Sequence, residues 1–389
     1  MWRPVLIVLQ PTPFCNISCD YCYLRNRDDR TVMSAEVVGA IRDRVFPRMA
    51  ADAAPTVIWH AGEPTVVPLA WYRRAYVELR RTAPAQTHFS LQSNGIALGQ
   101  DWIAFAQETD TQIGLSIDGP QAFHDARRKT RNGKGTWSHA MRALRELKAS
   151  RIDPNVVTVL HPRSLQAADT YFEFYRDNGI THVSFSIDES EGGHAVSSFD
   201  GDDQREAMAE FLFSLLRRAY LEQYPLHIKE VERIAAILAG GELHNEQIDA
   251  WDVLVVAANG DVTTFSPEFM EVRSRPHHDF RFGNILSDDF ETILDSALVA
   301  RTQAEIRRGV DRCRAECRYF AICGGGAPAN KMQENGALDT AETNFCRLSI
   351  QPAAEAFRRF VRWVREGREQ RRVRGREVIV QEVATQEIA

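Results

Sequence analysis

Short apolar runs alternate with amphipathic segments along the first half of the chain. The apolar runs cover residues 5–9, 57–60, 88–91, 113–117, 156–160 and 183–187, and the amphipathic segments lie near 34–50, 69–82, 101–108, 136–150, 164–178 and 203–222. Strand-length runs separated by helix-length segments predict βαβ units and a parallel sheet. Six such units predict a partial barrel that is open on one side and binds ligands at the C-terminal ends of its strands.

This alternation weakens near residue 225. Residues 225–250 are predicted to be a connecting segment. Beyond them, apolar runs at 251–258 and 262–265 flank Asn259-Gly260-Asp261, a sequence typical of a β-hairpin turn. The following part, up to about residue 350, predicts mainly loops, and residues 352–366 predict an amphipathic helix that precedes a charged tail.

These changes of pattern predict an α/β protein in four parts, and a chain of 389 residues is long enough for one barrel and a smaller domain. The parts are a partial (β/α)6 TIM-like barrel at 1–224, a bridging segment at 225–250, a second domain at 251–350, and a C-terminal helix and charged tail at 351–389.

The composition is that of an ordinary globular protein, with 44% apolar residues. A net charge of −6 argues against nucleic acid as the main partner. No stretch approaches the roughly 20 apolar residues that span a membrane, and the N-terminus lacks a signal-peptide cleavage site. We therefore expect a soluble, cytoplasmic protein with no nucleic-acid or membrane partner.

Seven cysteines form two groups, with none between residues 22 and 313. The first group, Cys15, Cys19 and Cys22, has the spacing C-x3-C-x2-C directly after the first predicted strand. Thiolates bind iron–sulfur clusters or zinc. A structural zinc site would need a fourth ligand, but no His or Cys follows before His60, whereas three ligands leave one iron of a 4Fe–4S cluster open.

The three-cysteine spacing, with Tyr21 before the third cysteine, resembles the signature of the radical S-adenosylmethionine (SAM) superfamily. The resemblance implies that these cysteines hold a 4Fe–4S cluster that cleaves SAM. The segment His60-Ala61-Gly62-Glu63-Pro64 resembles the GGEP motif of that family, with Ala61 in place of the first glycine. This match implies that Glu63 binds the SAM amino group.

Other segments resemble the SAM-binding positions of the family in chain order. Ser116 and Asp118 lie at the end of the fourth predicted strand and, two residues apart, project from one face of it. His124-Asp125-Ala126-Arg127-Arg128 resembles the HDxxR stretch of peptide-modifying members, which implies that Arg128, or Arg127 in its place, pairs with the SAM carboxylate. The implied SAM-binding residues are Tyr21, Gly62, Glu63, Ser93, Asn94, Ser116, Asp118 and Arg128.

The second group of cysteines has the spacing C-x3-C-x5-C-x22-C, which by itself suits zinc or a fully ligated 4Fe–4S cluster. The group resembles the SPASM domain of radical SAM peptide maturases, whose seven cysteines bind two auxiliary clusters. The four cysteines here match the second of these clusters, and the first is missing, since Ala327 stands where another cysteine is expected. The implied ligands are Cys313, Cys317, Cys323 and Cys346.

The stretch from Cys323 to Lys331, together with Phe265-Ser266-Pro267-Glu268, resembles the cyclophane-forming GrrM/OscB-type maturases. The resemblance implies a ribosomally made peptide as substrate, a 5′-deoxyadenosyl radical that removes a hydrogen from a side-chain Cβ, and a carbon–carbon bond to an aromatic ring. An external donor of the flavodoxin or ferredoxin type would supply electrons. The alternatives are a sulfatase maturase that forms formylglycine and a non-catalytic peptide-binding protein.

The proton acceptor for such a reaction is predicted among three acidic residues after the sixth strand, Asp188, Glu189 and Glu191. The alternative interpretations of these residues are a solvated acidic loop and a partner for a positively charged group of the peptide. With no room seen before the cysteine motif for a leader-binding domain, the peptide is expected to bind the barrel, the bridging segment, the C-terminal region or a separate partner. The sequence leaves open the peptide, the residues joined, the number and stereochemistry of rings, and the oligomeric state.

Overall fold

The computed structural model describes residues 2–199 and 202–373. The strands are β1 (Leu6–Leu9), β2 (Ile17–Cys19), β3 (Thr56–Trp59), β4 (His88–Ser93), β5 (Thr111–Ser116), β6 (Arg128–Thr130), β7 (Asn155–Leu160), β8 (His182–Ile187), β9 (His227–Ile228), β10 (Val253–Val256), β11 (Asp261–Thr264) and β12 (Gly283–Asn284). The helices are α1 (Ala35–Ala40), α2 (Leu69–Arg80), α3 (Gln100–Thr109), α4 (Gln121–Arg127), α5 (Trp137–Ala149), α6 (Ala168–Asp177), α7 (Asp202–Glu222), α8 (Lys229–Leu238), α9 (Phe290–Leu294), α10 (Ala297–Glu316), α11 (Phe320–Cys323), α12 (Pro328–Asn335) and α13 (Gln351–Val373).

A ten-stranded sheet organises the molecule in the order β12-β11-β10-β1-β3-β4-β5-β7-β8-β9. Neighbours from β10 through β9 are parallel, whereas β11 and β12 run antiparallel to the strands beside them. The six predicted barrel strands are β1, β3, β4, β5, β7 and β8. Each is followed by helical segments, which confirms the predicted α/β arrangement of six strand–helix units.

Within these strands the burial alternates, because successive side chains point to opposite faces. In β4, Phe89, Leu91 and Ser93 are buried, while the intervening Ser90 and Gln92 are only partly covered. The apolar set packs with the helices in one large core. The opposite face stays more open and polar, and parallel strands of this kind position their ligands at the C-terminal edge.

The segment after the barrel contains more regular structure than the sequence pattern predicted. Residues 225–250 contain β9, which pairs with β8, and α8, which buries Val231 and Ile234. The prediction that the following region is mainly loops is wrong, since α10 runs for 20 residues and α12 follows it. The stripe of buried residues along α10, with Ile306 and Val310 at helical spacing, is masked in the sequence by many charged neighbours.

The predicted hairpin at 259–261 is present and joins the main sheet. Strand β10 is buried along its whole length and lies parallel to β1, with Leu6 opposite Val253. Asp261 N donates to Asn259 Oδ1 at 3.1 Å, and Gly260 has a φ of +88° in the turn. The sheet therefore continues from the first predicted domain into the second, and the division of the chain at 224, 250 and 350 stays a prediction.

The C-terminal helix is longer than predicted, because α13 extends from Gln351 to Val373. It packs against α7, where Tyr220 makes edge contacts with Phe360 and Trp363 at 5.8 and 5.7 Å. Most of the predicted charged tail, residues 374–389, lies outside the described residues. In the part of the chain that the structure describes, no helix is long and apolar enough to cross a membrane.

Candidate functional site

The first three cysteines lie together in the long loop between β1 and α1. Cys15 and Cys19 are buried and Cys22 is half-buried. Burial, followed by the Glu63 carboxylate and the nearby Cys19 and Cys22 thiols, raises the pKa of the Cys15 thiol to about 12. Burial raises the pKa of Cys19 to about 11. The three cysteines therefore lie in one cluster of the loop.

The three-cysteine loop is held in place by a small sheet that the sequence pattern did not reveal. Strand β2, which ends at Cys19, pairs antiparallel with β6, so that Cys19 lies opposite Arg128. Two guanidinium groups fix main-chain oxygens of the same loop, Arg131 on Cys15 O and Arg27 on Cys19 O, each at 2.9 Å. The HDxxR stretch is thus bonded directly to the cysteine loop.

The turn after β3 brings Glu63 beneath this loop. Gly62 has a φ of +57°, and a Cβ there would lie 2.5 Å from the carbonyl oxygens of Thr12 and Phe14. Glu63 N donates to Phe14 O at 2.8 Å. Only glycine lets the two segments approach this closely, and the contact of Gly62 with SAM stays a prediction.

The Glu63 carboxylate joins the ends of two neighbouring strands. Its Oε1 accepts hydrogen bonds from Thr65 N, Thr65 Oγ1 and Ser93 Oγ at 3.0, 2.5 and 2.8 Å, and its Oε2 accepts from Asn94 N at 2.7 Å. Burial raises the pKa of Glu63, whereas the hydrogen bonds from Thr65 and Asn94 oppose that rise. Asn94 Nδ2 continues the link to the cysteine loop, 2.8 Å from Asn16 Oδ1. Ser93, Asn94 and Glu63 therefore form one connected polar group.

Asp118 is the centre of a second polar group. It is 1% exposed and accepts hydrogen bonds from Tyr21 Oη at 2.5 Å, Arg128 Nε at 3.0 Å and Val159 N at 3.0 Å. Tyr21, Asp118 and Arg128 were each predicted separately as SAM-binding residues, and the structure brings them into direct contact. Ser116 stands apart from this group and accepts a hydrogen bond from Gln92 Nε2 at 3.0 Å.

Arg127 bridges the cysteine loop and the sixth strand end. Its Nε lies 2.8 Å from Asp20 and its Nη2 lies 2.7 Å from Asp188, while its guanidinium covers the Tyr21 ring at 4.6 Å. Among the described residues, Arg127 Nη1 is buried without a hydrogen-bond partner. This orphaned donor beside the three cysteines is suited to an anionic ligand group such as a carboxylate.

The three acidic residues predicted as proton acceptors have different environments. Asp188 is 1% exposed and also accepts from Ser198 Oγ at 2.8 Å, so the alternative of a solvated loop is wrong for this residue. Glu189 and Glu191 are half-buried. Desolvation raises the pKa of Glu189 to about 8, although a hydrogen bond from Asn330 acts to lower it. Desolvation and the charge of Glu189 raise the pKa of Glu191 well above its usual range.

Two further carboxylates, which the sequence reasoning had given no role, complete this acidic group. Burial raises the pKa of Glu268, next to the hairpin, and of Glu334, on α12. Their charges contribute to the raised pKa of Glu189. We refer to Glu189, Glu191, Glu268 and Glu334 as the carboxylate cluster. Separations of up to 145 residues explain why no local motif revealed it.

The carboxylate cluster lies between the two cysteine groups. Gly193 N donates to Tyr23 O at 2.6 Å, which fixes the loop after β8 against the three-cysteine loop. On the other side, Gly192 N donates to Gln333 Oε1 at 2.6 Å, and Asn330 Nδ2 donates to Glu189. Gln333 and Asn330 belong to α12, the helix that follows Cys323.

The second group of four cysteines lines a cavity of about 360 Å³. Cys313 lies in the last turn of α10 and Cys317 directly follows that helix, Cys323 ends α11, and Cys346 precedes α13. Burial raises the pKa of Cys346 to about 11, and Cys323 and Cys313 add to that rise. The donor set of four thiols around one cavity fits a fully ligated iron–sulfur cluster. Within the described residues, no three Cys, His, Asp or Glu side chains converge on a single metal ion, whereas the four ligands of a 4Fe–4S cluster each bind a different iron.

The loop after Cys323 is shaped by three glycines in the left-handed region. Gly324, Gly325 and Gly326 have φ values of +76°, +119° and +75°. Gly325 O lies 3.6 Å from Cys313 Sγ, and Asn245 Nδ2 donates to Gly326 O at 2.9 Å. Asn245 comes from the predicted bridging segment, so that segment contributes to the wall of the four-cysteine site.

Comparisons with known proteins agree with this architecture. A model of the radical SAM superfamily matches residues 9–174. An uncharacterized protein of Synechocystis sp. is 32% identical over 358 residues, which cover 90% of this chain and 90% of that protein. A serine-type anaerobic sulfatase-maturating enzyme of Bacteroides thetaiotaomicron is 27% identical over 228 residues, 54% of each chain.

Solved structures share the fold at lower sequence identity. The enzyme anSMEcpe with bound AdoMet and Cp18Cys peptide has a TM-score of 0.74 at 19% identity, covering 93% of this chain and 99% of that one. Streptococcus suis SuiB bound to its precursor peptide SuiA has a TM-score of 0.62 at 14% identity, covering 89% of this chain and 76% of that one.

Proposed function

Because the chain belongs to the radical SAM superfamily, we propose that it modifies a ribosomally synthesised precursor peptide and joins an aromatic ring to a side-chain Cβ in a cyclophane. The observation that carries the proposal is the carboxylate cluster, which lies between a three-thiol site and a four-thiol cavity. A reaction that removes one hydrogen atom, one proton and one electron from a peptide needs an acceptor for each within one site.

Cys15, Cys19 and Cys22 would hold the first 4Fe–4S cluster, and the four thiols of the second cavity an auxiliary one. When bound, the first cluster and SAM together supply a 5′-deoxyadenosyl radical that takes a hydrogen atom from the substrate. The residues of the chain bind, orient and shield the reacting groups. The contacts of Arg27 with Cys19 O and of Arg131 with Cys15 O fix the main chain of the loop that carries the thiols.

For SAM itself, the polar group around Glu63 and the one around Asp118 form two sides of the proposed binding site. Glu63, held by Ser93 and Asn94, would attract the SAM amino group. Of the two arginines considered for the SAM carboxylate, Arg127 has the buried donor without a partner, whereas Arg128 Nε is bonded to Asp118. We therefore assign the carboxylate contact to Arg127 Nη1 and a supporting role to Arg128.

Proton removal is assigned to Glu189 and Glu191. Their raised pKa values follow from desolvation and from the other carboxylates of the cluster, so that one of them gives up its proton near neutral pH and takes one from the substrate readily. Asp188 is paired with Arg127 and Ser198, and we assign it a positioning role instead. An external flavodoxin- or ferredoxin-type donor would supply the electron that starts each turnover.

Formylglycine formation is the second candidate, because several relatives are named anaerobic sulfatase-maturating enzymes. That reaction also removes two hydrogens from a peptide. The chain offers a single group of four cysteines beyond residue 22, and Ala327 stands where the family has a further ligand. This difference favours the cyclophane reaction over the sulfatase-maturing one.

Tandem mass spectrometry of a short peptide encoded beside the gene, after anaerobic co-expression, tests the proposal. We expect a loss of two hydrogens per site and missing backbone fragments between an aromatic residue and its partner. The same mass loss with complete fragmentation and a hydrazine-reactive aldehyde would instead establish formylglycine. An iron count of about eight per chain tests the cofactor set, since zinc in the second site would leave about four.

A further inference from the structure

Lys331 is a buried ammonium group that the proposed chemistry has not used. It lies on α12 and is 2% exposed. Its Nζ is 3.4 Å from Cys313 Sγ. A buried charge is costly unless a partner of opposite charge or a hydrogen-bond acceptor lies beside it. The partner that the structure gives Lys331 is a sulfur atom of the four-cysteine site.

The fold opens a path for this side chain between two glycines. A Cβ on Gly309 of α10 would lie 3.1 Å from Lys331 Nζ, and a Cβ on Gly326 would lie 3.6 Å from Lys331 Cε. A side chain at Gly309 would crowd the lysine nitrogen, whereas one at Gly326 would make an ordinary van der Waals contact with the lysine stem. Lys331 therefore reaches Cys313 at a point where α10 carries no side chain.

We propose that Lys331 raises the reduction potential of the auxiliary cluster and so makes it the acceptor for the electron that the substrate loses. Four thiolates on an iron–sulfur core carry net negative charge, and reduction adds one unit to it. A fixed cation beside one thiolate stabilises the reduced state more than the oxidised state. In the balanced step, the substrate loses one electron and one proton. The electron reduces the oxidised auxiliary iron–sulfur cluster by one unit, and the proton goes to the carboxylate cluster.

The position of Lys331 also links the two acceptors. Asn330, the preceding residue on α12, donates to Glu189 in the carboxylate cluster. Two consecutive residues of α12 therefore contact the two proposed acceptors. Asn330 contacts the proton acceptor Glu189, and Lys331 contacts Cys313 of the site proposed to accept the electron. This inference rests on the proposed function in that the second site must hold an iron–sulfur cluster, but it requires no particular peptide.

An anaerobic redox titration of the reconstituted full-length enzyme, followed by electron paramagnetic resonance, tests the role of Lys331. Addition of SAM identifies the signal of the three-cysteine cluster, so the auxiliary signal is followed separately. For K331M we expect the equilibrium for one-electron reduction of the auxiliary cluster to weaken by about a hundredfold, or ~120 mV at ~59 mV per tenfold. K331R, which keeps the charge, is expected to retain most of the wild-type potential.

The exposed Lys229 provides a matched control, and K229M should leave both midpoint potentials unchanged. An unchanged auxiliary midpoint in an iron-replete K331M enzyme would overturn the proposal while leaving the enzyme function intact. If K331M does not retain its second cluster, K331Q replaces it in the titration. Loss of the cluster in both neutral variants would also overturn the proposal, because Lys331 would then be an assembly residue. About four irons and one zinc in the wild-type enzyme would refute both the auxiliary cluster and the role of Lys331.

Discussion

At the scale of single residues, the candidate site depends on side chains that pair with each other before any ligand binds. Asp118 is the clearest case, since its two oxygens are already engaged by Tyr21, Arg128 and Val159. A buried carboxylate in this state orients its partners and connects Tyr21 of the cysteine loop to the end of β5. Its contribution to SAM binding would then come through the groups that it positions.

Replacing Arg128 with methionine should destabilise the protein, because Asp118 would remain buried without its cation. Loss of one partner of a buried ion pair costs about 3 kcal/mol or more, which predicts a fall in melting temperature of roughly 5 °C. Thermal unfolding followed by circular dichroism measures it. The exposed Arg145 on α5 supplies the control R145M, and D118N/R128M should recover part of the loss. A melting temperature equal to that of wild type in R128M would contradict a structural role for the pair.

The carboxylate cluster predicts a stability that falls as pH rises. The pKa of Glu189 is about 8 in the folded protein and near the ordinary glutamate value when unfolded, so the folded state binds more protons between these values. Desolvation raises the pKa of Glu191, Glu268 and Glu334 in the same direction. The melting temperature of the wild type should therefore drop by a few degrees between pH 6 and pH 8.5. E189Q should show a shallower drop, and equal slopes in both proteins would argue against the assignment.

The same group predicts how activity depends on pH. If ionised Glu189 accepts the substrate proton, the rate of peptide modification should rise with pH around a midpoint near pH 8 and level off about one pH unit above it. E189Q should lower the rate and flatten this rise, while SAM cleavage without peptide continues. Single-turnover rates from pH 6.5 to 9 measure the profile. An E189Q profile with the wild-type inflection would move the role of base to another residue.

At the scale of elements, the site depends on turns that bring strand ends against the cysteine loop. The turn after β3 does so through Gly62, and the loop after β8 does so through Gly192, where a Cβ would lie 2.2 Å from Tyr23 O. Both glycines have positive φ values. Each combines a left-handed conformation with a close backbone approach, so a side chain would strain the turn and push the loop away.

Substitution of Gly62 by alanine tests this at one position. The added Cβ meets two carbonyl oxygens at 2.5 Å, so the turn and the cysteine loop must separate. We expect at least a tenfold loss of SAM affinity, for which ~1.4 kcal/mol of strain suffices. Equilibrium binding of SAM to the reconstituted enzyme measures it. G133A is the matched control, because Gly133 has a similar φ of +78° but nothing within 4 Å of the added carbon.

At the scale of the whole molecule, one sheet joins the barrel strands to the hairpin of the cysteine-rich region. Strand β10 covers the edge of β1 along four residues, and β9 covers part of the opposite edge at β8. Exposed edges of parallel strands promote aggregation, so each part of the chain protects the other. The two cysteine groups are consequently held within one framework, with the carboxylate cluster between them.

A chain truncated after residue 250 should therefore fail to remain soluble and monodisperse. It would lack β10, whose residues are all buried, and would expose the edge of β1. Soluble yield and size-exclusion chromatography after expression measure this outcome. Removal of residues 374–389 alone is the control, since every described element stays intact. A soluble, compact 1–250 fragment would show that the barrel folds without the hairpin.

The sequence by itself was sufficient for the six barrel strands, their helices and the two cysteine groups. Local sequence patterns predict these features, namely apolar runs of strand length, amphipathic periodicity and short cysteine spacings. The sequence pattern did not predict α8 or α10, because many charged residues on each helix obscure its narrow stripe of buried residues. It also could not foresee that β6 would pair with β2, because both strands are only three residues long.

Tertiary structure alone decided how the candidate residues meet. The pairing of Arg127 with Asp188, of Arg128 with Asp118 and of Glu189 with Asn330 joins residues that are up to 141 positions apart. Such pairs depend on the order of strands in the sheet, which sets which strand ends are neighbours, and no local pattern encodes that order. The buried Lys331 beside Cys313 has the same origin, since its path exists only where α10 and the glycine loop come together. Local chemistry thus determined which residues could hold the cofactors, and chain packing determined the charges that tune them.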